Sequence, residues 1–397
     1  MTATSTPAPA RGRLRALLAA KAVSDVGHAL DFVCLSVFVW EATRSAFATG
    51  AVSVLLYAGA IVGGRLGHAF GDRWDRRTAM VAADLVRVVV LGLLAVLPGV
   101  AQQWWLFFAV FVVGAGRSVF EATLAAATPV LAGERVQFVN SVIAGLKGAA
   151  FLVGMGASAL VVPLVGFRGV FALDAASYAV SAAVLLTLRV RLREDDPGPR
   201  AARAGVRAWP VVVAAGLVPL FALRALDAFG SSSQHVGMPI LGGQLAGGAE
   251  RVAGVLWSGW AAGLLLGGFV LRPLATRVIA RAPTAVFCAA TVLMSIGFIG
   301  VFWAGEWWLR VAAGVAAGIG DAFSEIAFKQ AVQRLPDRDR GSVFGLSQLV
   351  VNAGFMGGLV VTTVVLQPVW VSEWVLLLHG IPLVAAVLLL FRVRGRR

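Results

Sequence analysis

Twelve apolar stretches, each long enough to cross a bilayer, alternate with short loops whose arginines fall almost all on one side. A helix needs roughly 20 apolar residues to span the hydrocarbon core. Only helices and closed barrels satisfy every backbone polar group there. The runs are continuous and lack the period-two alternation of a barrel strand, so the chain reads as an all-α membrane protein. Charged residues are 14% of the chain and hydrophobic ones 59%, where a soluble domain carries about 25% charged.

The expected spans are 16–40, 47–69, 78–98, 104–127, 138–163 and 168–188, then 210–236, 251–271, 283–303, 307–330, 341–366 and 371–391. Between the sixth and seventh lies a polar, arginine-rich stretch containing Glu194-Asp195-Asp196-Pro197-Gly198-Pro199, which has the composition of a surface linker. The expected plan is therefore a cytoplasmic tail (1–15), a six-helix bundle (16–188), a cytoplasmic linker (189–209), a second six-helix bundle (210–391) and a cytoplasmic tail (392–397). No extramembrane segment is expected to form a further domain.

Orientation follows from the loops. The side that would hold both termini carries 23 arginines, from Arg11, Arg13 and Arg15 to Arg392, Arg394, Arg396 and Arg397; the other side carries Arg44, Arg168, Arg251 and Arg310. The excess of positive charge places both termini in the cytoplasm. The formal charge of +14 is then a topology signal. Spread over short loops, it does not form the single basic face that nucleic acid would require. Trp40, Trp104, Trp105, Trp303, Trp307, Trp308, Trp370 and Trp374 fall at the expected outer ends of spans, as an interfacial belt does. Arginine outnumbers lysine 31 to 3, the bias of a GC-rich bacterial genome, so the expected location is a bacterial cytoplasmic (inner) membrane.

The halves echo each other. Gly114-Ala115-Gly116-Arg117, Glu121 and Leu131 align at one offset with Gly318-Ile319-Gly320-Asp321, Glu325 and Leu335. A repeated six-helix half is the plan of many secondary transporters, whose substrate site lies near the midplane.

After the second span the chain reads Gly71-Asp72-Arg73-Trp74-Asp75-Arg76-Arg77, and the third span carries Asp84 and Arg87. This resembles motif A of the major facilitator superfamily, and most closely the branch of macrolide-type drug exporters and siderophore exporters. Ser24-Asp25-x-Gly27, Asn140-Ser141, Leu173-Asp174-Ala175-Ala176 and Arg340-Gly341-x-Val343-Phe344-Gly345 are further similarities to that branch. The resemblance covers nearly the whole chain. It implies that Asp72, Arg73, Asp75, Arg76, Arg77, Asp84 and Arg87 form a cytoplasmic latch that switches conformation. It also implies that helices one, four, seven and ten line a central cavity. The chain departs from the pattern at His68, where a glycine is usual, and at Gly154-Met155, where antiporters carry Gly-Pro.

Ionisable groups at membrane depth are costly and mark substrate or proton pathways. Helix one carries Asp25, His28 and Asp31; helix four, Arg117 and Glu121; helix five, Lys147; helix seven, Arg224 and Asp227; helix ten, Asp321, Glu325 and Lys329. Arg117 and Glu121 are four apart and Arg224 and Asp227 three apart, so each pair can meet on one helix face. Asp31 has no basic residue one turn away and is the first candidate for a proton or substrate site. Glu121 and Glu325, related by the repeat, come next, with Asp25, His28, Asp227 and Asp321 behind them. Arg117, Lys147 and Arg224 are the basic candidates. Acids outnumber bases on these helices, and an acid taken out of water favours its neutral form. A cavity of that kind suits protons and cations.

The four histidines, His28, His68, His235 and His379, lie in four different spans with no metal-ligand spacing, and Cys34 and Cys288 form no framework. Gly263-Leu264-Leu265-Leu266-Gly267-Gly268 lacks the lysine and the strand-to-helix context of a phosphate loop. No metal, cofactor, nucleic-acid partner or enzymatic activity is expected. The expected partners are a small-molecule substrate, protons and membrane lipid, and the expected state is a monomer. The reading is proton-coupled efflux of a neutral or cationic amphiphile. Its alternatives are a proton-coupled importer or a siderophore or metabolite exporter of the same fold, and, in another class, a receptor or membrane enzyme. The orientation has a direct test: a cysteine replacing Ala202 should resist an impermeant thiol reagent in intact cells and react in inside-out vesicles. Labelling in intact cells would overturn it.

Overall fold

Helices account for every span. The computed structural model describes residues 8–73, 75–132, 136–187 and 204–394. Helices α1 (Ala8–Thr43), α2 (Ala46–Arg73), α3 (Arg76–Val96), α4 (Gly99–Ala132) and α5 (Val136–Thr187) precede the expected linker, of which 189–203 lies outside the described residues and 204–209 is already helical. After it come α6 (Ala204–Ala214), α7 (Val218–Gln244), α8 (Ala249–Leu265), α9 (Arg272–Arg281), α10 (Pro283–Trp303), α11 (Trp307–Gln333), α12 (Asp337–Val365) and α13 (Val371–Arg394). The 52 residues of α5 would make a rod of about 78 Å, far longer than the roughly 30 Å hydrocarbon core. It breaks at Gly166, whose φ of 68° and ψ of 173° are outside the helical region, and its two limbs are two spans. Ten helices are long and apolar enough to cross on their own, and α6 with α7 makes one more. With α5 counted twice, the described residues hold the twelve expected spans.

The seventh span is displaced from its expected place. Hydropathy puts it at 210–236; the crossing helix is α7, 218–244, and α6 meets it at 115°. The reason is local. Leu217 N–H bonds to Val212 O at 2.9 Å and Gly216 N–H to Val213 O at 3.0 Å, with Gly216 at φ 67°. That is a Schellman stop, which ends α6, and Pro219 in the first turn starts α7. The polar run Ser231-Ser232-Ser233-Gln234-His235 lowers hydropathy in the middle of α7. Ser232 and Ser233 are buried and donate to the Phe229 and Gly230 carbonyls.

The chain forms two compact units. One holds α1 to α5 apart from Trp40–Gly50; the other holds Trp40–Gly50 and everything from α6 onward. In the first, α3 packs on α4 and α5 around Leu17, Met80, Phe120, Leu124 and Leu185. In the second, α10 packs on α11 and α13, and α7 on α12 and α13. There Ala208 and Val212 of α6 and Ile279 of α9 join Phe221, Phe287 and Phe328. Large apolar side chains elsewhere are exposed, Leu160 and Leu164 among them, as suits a lipid face. Of the expected tryptophan belt, Trp104, Trp303, Trp307, Trp308 and Trp370 are exposed, and Trp40 is buried.

Lipid is as apolar as leucine, so association of the helices depends on close packing by small residues. The two units do this identically. In the first, a Cβ on Gly114 would stand 2.0 Å from Leu56 O, and one on Gly59 2.0 Å from Phe111 O. In the second, a Cβ on Gly318 would stand 2.0 Å from Trp260 O, and one on Gly263 2.0 Å from Val315 O. All four equivalences, glycines and carbonyls alike, share the 204-residue offset that relates Glu121 to Glu325. The repeat seen along one helix thus extends to a helix pair, α2 on α4 and α8 on α11. Gly114→Ala and Gly318→Ala should each destabilise the protein by about 1–3 kcal/mol through overpacking, whereas Gly92→Ala, with open space around it, should not. Thermal unfolding in detergent measures this; equal melting temperatures for all three variants would contradict the packing.

Candidate functional site

Each unit buries its own set of charges. In the first, Lys21 of α1 is only 3% exposed and its Nζ donates to Asp25 Oδ1 at 3.0 Å and Glu121 Oε1 at 2.9 Å. A buried charge that loses its partner is strongly destabilising, so this lysine is tied to both acids. Arg87 of α3 donates to Asp84 Oδ1 and, at 3.2 Å, to Ala83 O. Its guanidinium lies 4.0 Å from the centre of the Tyr178 ring. Arg117 of α4 faces the Phe151 ring at 5.6 Å. His28 Nδ1 lies 3.5 Å from Tyr178 Oη, on the second limb of α5. Lys21, Asp25, His28, Arg87, Arg117, Glu121 and Tyr178 together line a narrow cavity inside this unit.

Two expected pairings do not form. Arg117 and Glu121 share a face, but Glu121 turns to Lys21, whose position on the neighbouring helix no single-helix spacing reveals. Arg224 and Asp227 part in the same way: Arg224 pairs with Glu325 across from α7 to α11. Asp31 is not alone either. It is fully buried and its carboxyl faces that of Asp174, equally buried on the second limb of α5. Sequence reasoning places Asp174 only in a motif and passes over Lys21. Both are ionisable residues within expected spans, and that alone could have added them to the inventory. The Lys147 side chain is accessible, and it stands near Arg117, Glu121 and Lys21 of this charged group.

The second unit repeats the scheme with other residues. Glu325 accepts from Arg224 and from Lys329, the latter at 3.0 Å. Arg224 lies 4.5 Å from the Phe328 ring centre. A basic residue on the first spanning helix of each unit thus reaches the glutamate of its fourth: Lys21 to Glu121, Arg224 to Glu325. Asp227 and Asp321 come together between α7 and α11, with the Trp260 indole N–H next to Asp321 but outside hydrogen-bond geometry. His235 packs edge-on against Trp257 and Phe355, with ring centres 5.2 and 4.8 Å away.

The motif after α2 is bound into the first unit as far as it is described. Asp75 caps α3, accepting from Arg77 N–H at 2.7 Å, a standard use of aspartate. Arg76 donates to Ala126 O at 2.9 Å, near the end of α4, and Arg77 Nε to Leu185 O at 2.8 Å, near the end of α5. Cations suit those carbonyl-rich termini. The side chains of Asp72 and Arg73 lie outside the described residues. Asp84 and Arg87, grouped with this loop by resemblance, belong instead to the buried charge cluster. Among the described residues no three His, Cys, Asp or Glu side chains are placed to hold a metal ion.

The profile of the Major Facilitator Superfamily matches residues 26–288. No curated protein sequence matches the chain. Solved structures do match in fold. The crystal structure of the nucleoside transporter NupG has a TM-score of 0.75 at 14% identity, over 95% of this chain and 98% of that one. A POT family transporter in complex with a thioalcohol-conjugated peptide has a TM-score of 0.72 at 13% identity, over 97% and 96%. The POT family transporter PepTSo likewise has 0.72 at 13% identity, over 96% and 98%.

The Lys21 bridge makes a measurable claim. Lys21→Met should lower stability by about 3 kcal/mol or more, the scale of a broken buried pair, and adding Glu121→Gln should recover part of that loss. Unfolding in mixed micelles across the four members of the cycle gives the coupling; a coupling of zero would mean that the bridge contributes nothing.

Proposed function

We propose, from the premise that this chain belongs to the Major Facilitator Superfamily, that it is a secondary active transporter exporting a neutral or cationic amphiphile in exchange for protons. The observation that carries the reading is the charge balance at depth. The first unit sets Asp25, Asp31, Asp84, Glu121 and Asp174 against Lys21, Arg87, Arg117 and the accessible Lys147. The second sets Asp227, Asp321 and Glu325 against Arg224 and Lys329. An excess of acid inside a membrane is sustained by protons or by a bound cation. Competition between the two for one acid gives exchange, and rocking of one bundle against the other gives alternating access. The aromatic group of His235, Trp257 and Phe355 supports an amphiphile with a flat ring.

In this reading the chain sits in a bacterial cytoplasmic membrane with both termini inside and works as a monomer. Asp72 acts in the conformational latch and not in substrate binding. Asp31 is the first choice for the exchangeable proton, because Glu121 and Glu325 are committed to salt bridges.

Liposomes holding the purified protein, acid inside, should accumulate the planar cation ethidium, and an ionophore that collapses the pH gradient should stop it. Asp31→Asn should abolish the gradient-driven flux yet leave gradient-free exchange of ethidium. If Asp31→Asn, Glu121→Gln and Glu325→Gln all keep the wild-type rate and pH dependence, coupling does not run through these acids. Accumulation only when the gradient is reversed would mark an importer.

A further inference from the structure

Asp31 and Asp174 meet under unusual conditions. Both are fully buried, and among the described residues neither makes a salt bridge. Their carboxyls are within hydrogen-bond reach of each other. Yet with both ionised, neither oxygen of Asp31 has a hydrogen-bond partner, and Asp174 Oδ2 has none. Two carboxylates cannot donate to each other; one proton between them supplies the missing bond. The approach is built in by Gly27, where a Cβ would stand 2.5 Å from Asp174 Oδ1. Ser177 Oγ donates to that same oxygen at 3.1 Å.

The charged and titratable groups around the pair are committed elsewhere. On α3, Arg87 is bound to Asp84. On α4, Arg117 faces Phe151. On α1, His28 faces Tyr178 of α5. These three residues also line the narrow cavity, together with Tyr178; His28 stands one turn before Asp31 and Tyr178 one turn after Asp174, so both side chains adjoin the cavity and the acid-bearing turns.

The second unit provides the comparison. Gly230 follows Gly27 by 203 residues, and Gln234 follows Asp31 by the same interval. A Cβ on Gly230 would stand 2.7 Å from Leu378 O, on α13, the last spanning helix of its unit, as the second limb of α5 is of the first. Beside it, His379 Nε2 lies 2.6 Å from Gln234 Oε1, with both side chains buried. The place that holds two acids in one unit holds a histidine and a glutamine in the other, joined through His379 Nε2 and Gln234 Oε1, with His379 Nδ1 left without a partner. The second pair needs no proton from outside; the first does.

We infer that Asp31 and Asp174 together bind one proton, and that this shared proton, reached through His28 and Tyr178, is the coupling ion of the transporter. The second clause rests on the proton-coupled reading above; the first does not. The folded protein then binds a proton that the unfolded chain releases at neutral pH, so stability falls as pH rises.

The test has two arms. In the first, melting temperature in detergent is followed from mildly acid to mildly alkaline pH. The wild type should lose stability with rising pH by one proton more than Asp174→Asn, Asp31→Asn or the double variant Asp31→Gln/Asp174→His, which installs the second unit's pair. If the double variant does not fold, the single variants decide. Slopes equal to the wild type's in both single variants would overturn the shared proton. In the second arm, ethidium flux is driven by a pH gradient in liposomes. Loss of gradient-driven flux in Asp174→Asn, with exchange kept, supports the coupling role. Wild-type flux and pH dependence in Asp174→Asn would overturn that role while leaving proton coupling standing. A slope difference in the first arm with no gradient-driven flux in the wild type would instead remove the proton-coupled reading and keep the bound proton.

Discussion

A charge carried into the bilayer must find a partner, on its own helix or on another of the same bundle, and the interior of each unit is arranged around that demand. Lys21 is the plainest case. One nearly inaccessible ammonium joins α1 to α4 through Glu121 and also satisfies Asp25 one turn along its own helix. Arg87 meets the demand partly with Asp84 and partly by lying over Tyr178, using the planar face that a guanidinium has and an ammonium lacks. Because lipid gives no hydrophobic drive toward association, these bonds and the glycine contacts supply specificity that apolar burial supplies in water. Removing one partner therefore perturbs the helix pair as well as the charge.

The spans were legible in the sequence because twenty apolar residues have few other uses, and eleven fall close to where hydropathy puts them. The seventh does not, since Ser231 to His235 are polar residues whose hydroxyls return to the helix's own carbonyls or whose side chains face the unit's interior. Hydropathy scores the side chain and cannot see that its hydrogen bond is internal. The same limit explains the ion pairs. Spacing along one helix brings Arg117 near Glu121 and Arg224 near Asp227, but the observed bonds run between helices. Which helix faces which depends on glycines such as Gly27 and Gly114, whose role is visible only once the opposing carbonyl or carboxyl is in place.

The arginines of the loop after α2 show how one residue can answer two constraints. They count toward the positive-inside signal, and Arg76 and Arg77 also cap the carbonyl ends of α4 and α5. Asp75, which adds nothing to that signal, starts α3. The local chemistry of helix ends thus accounts for three of the motif's charges inside one unit.

The two units keep one backbone frame and change the charges mounted on it. Along α4 and α11 the glycines and the glutamate match at a constant offset, while Arg117 is replaced by Asp321 at that same offset. Between first and sixth spans, Asp31 with Asp174 gives way to Gln234 with His379. The packing contacts therefore fix the helices, while the exchanged side chains change the charge each unit carries. Each unit holds an acid pair, but on a different helix contact: Asp31 with Asp174 between α1 and α5 in the first, Asp227 with Asp321 between α7 and α11 in the second. In the reading proposed above, gain or loss of one proton at the first contact would alter repulsion between two helices held together at Gly27, and a local titration would become a force on helix packing.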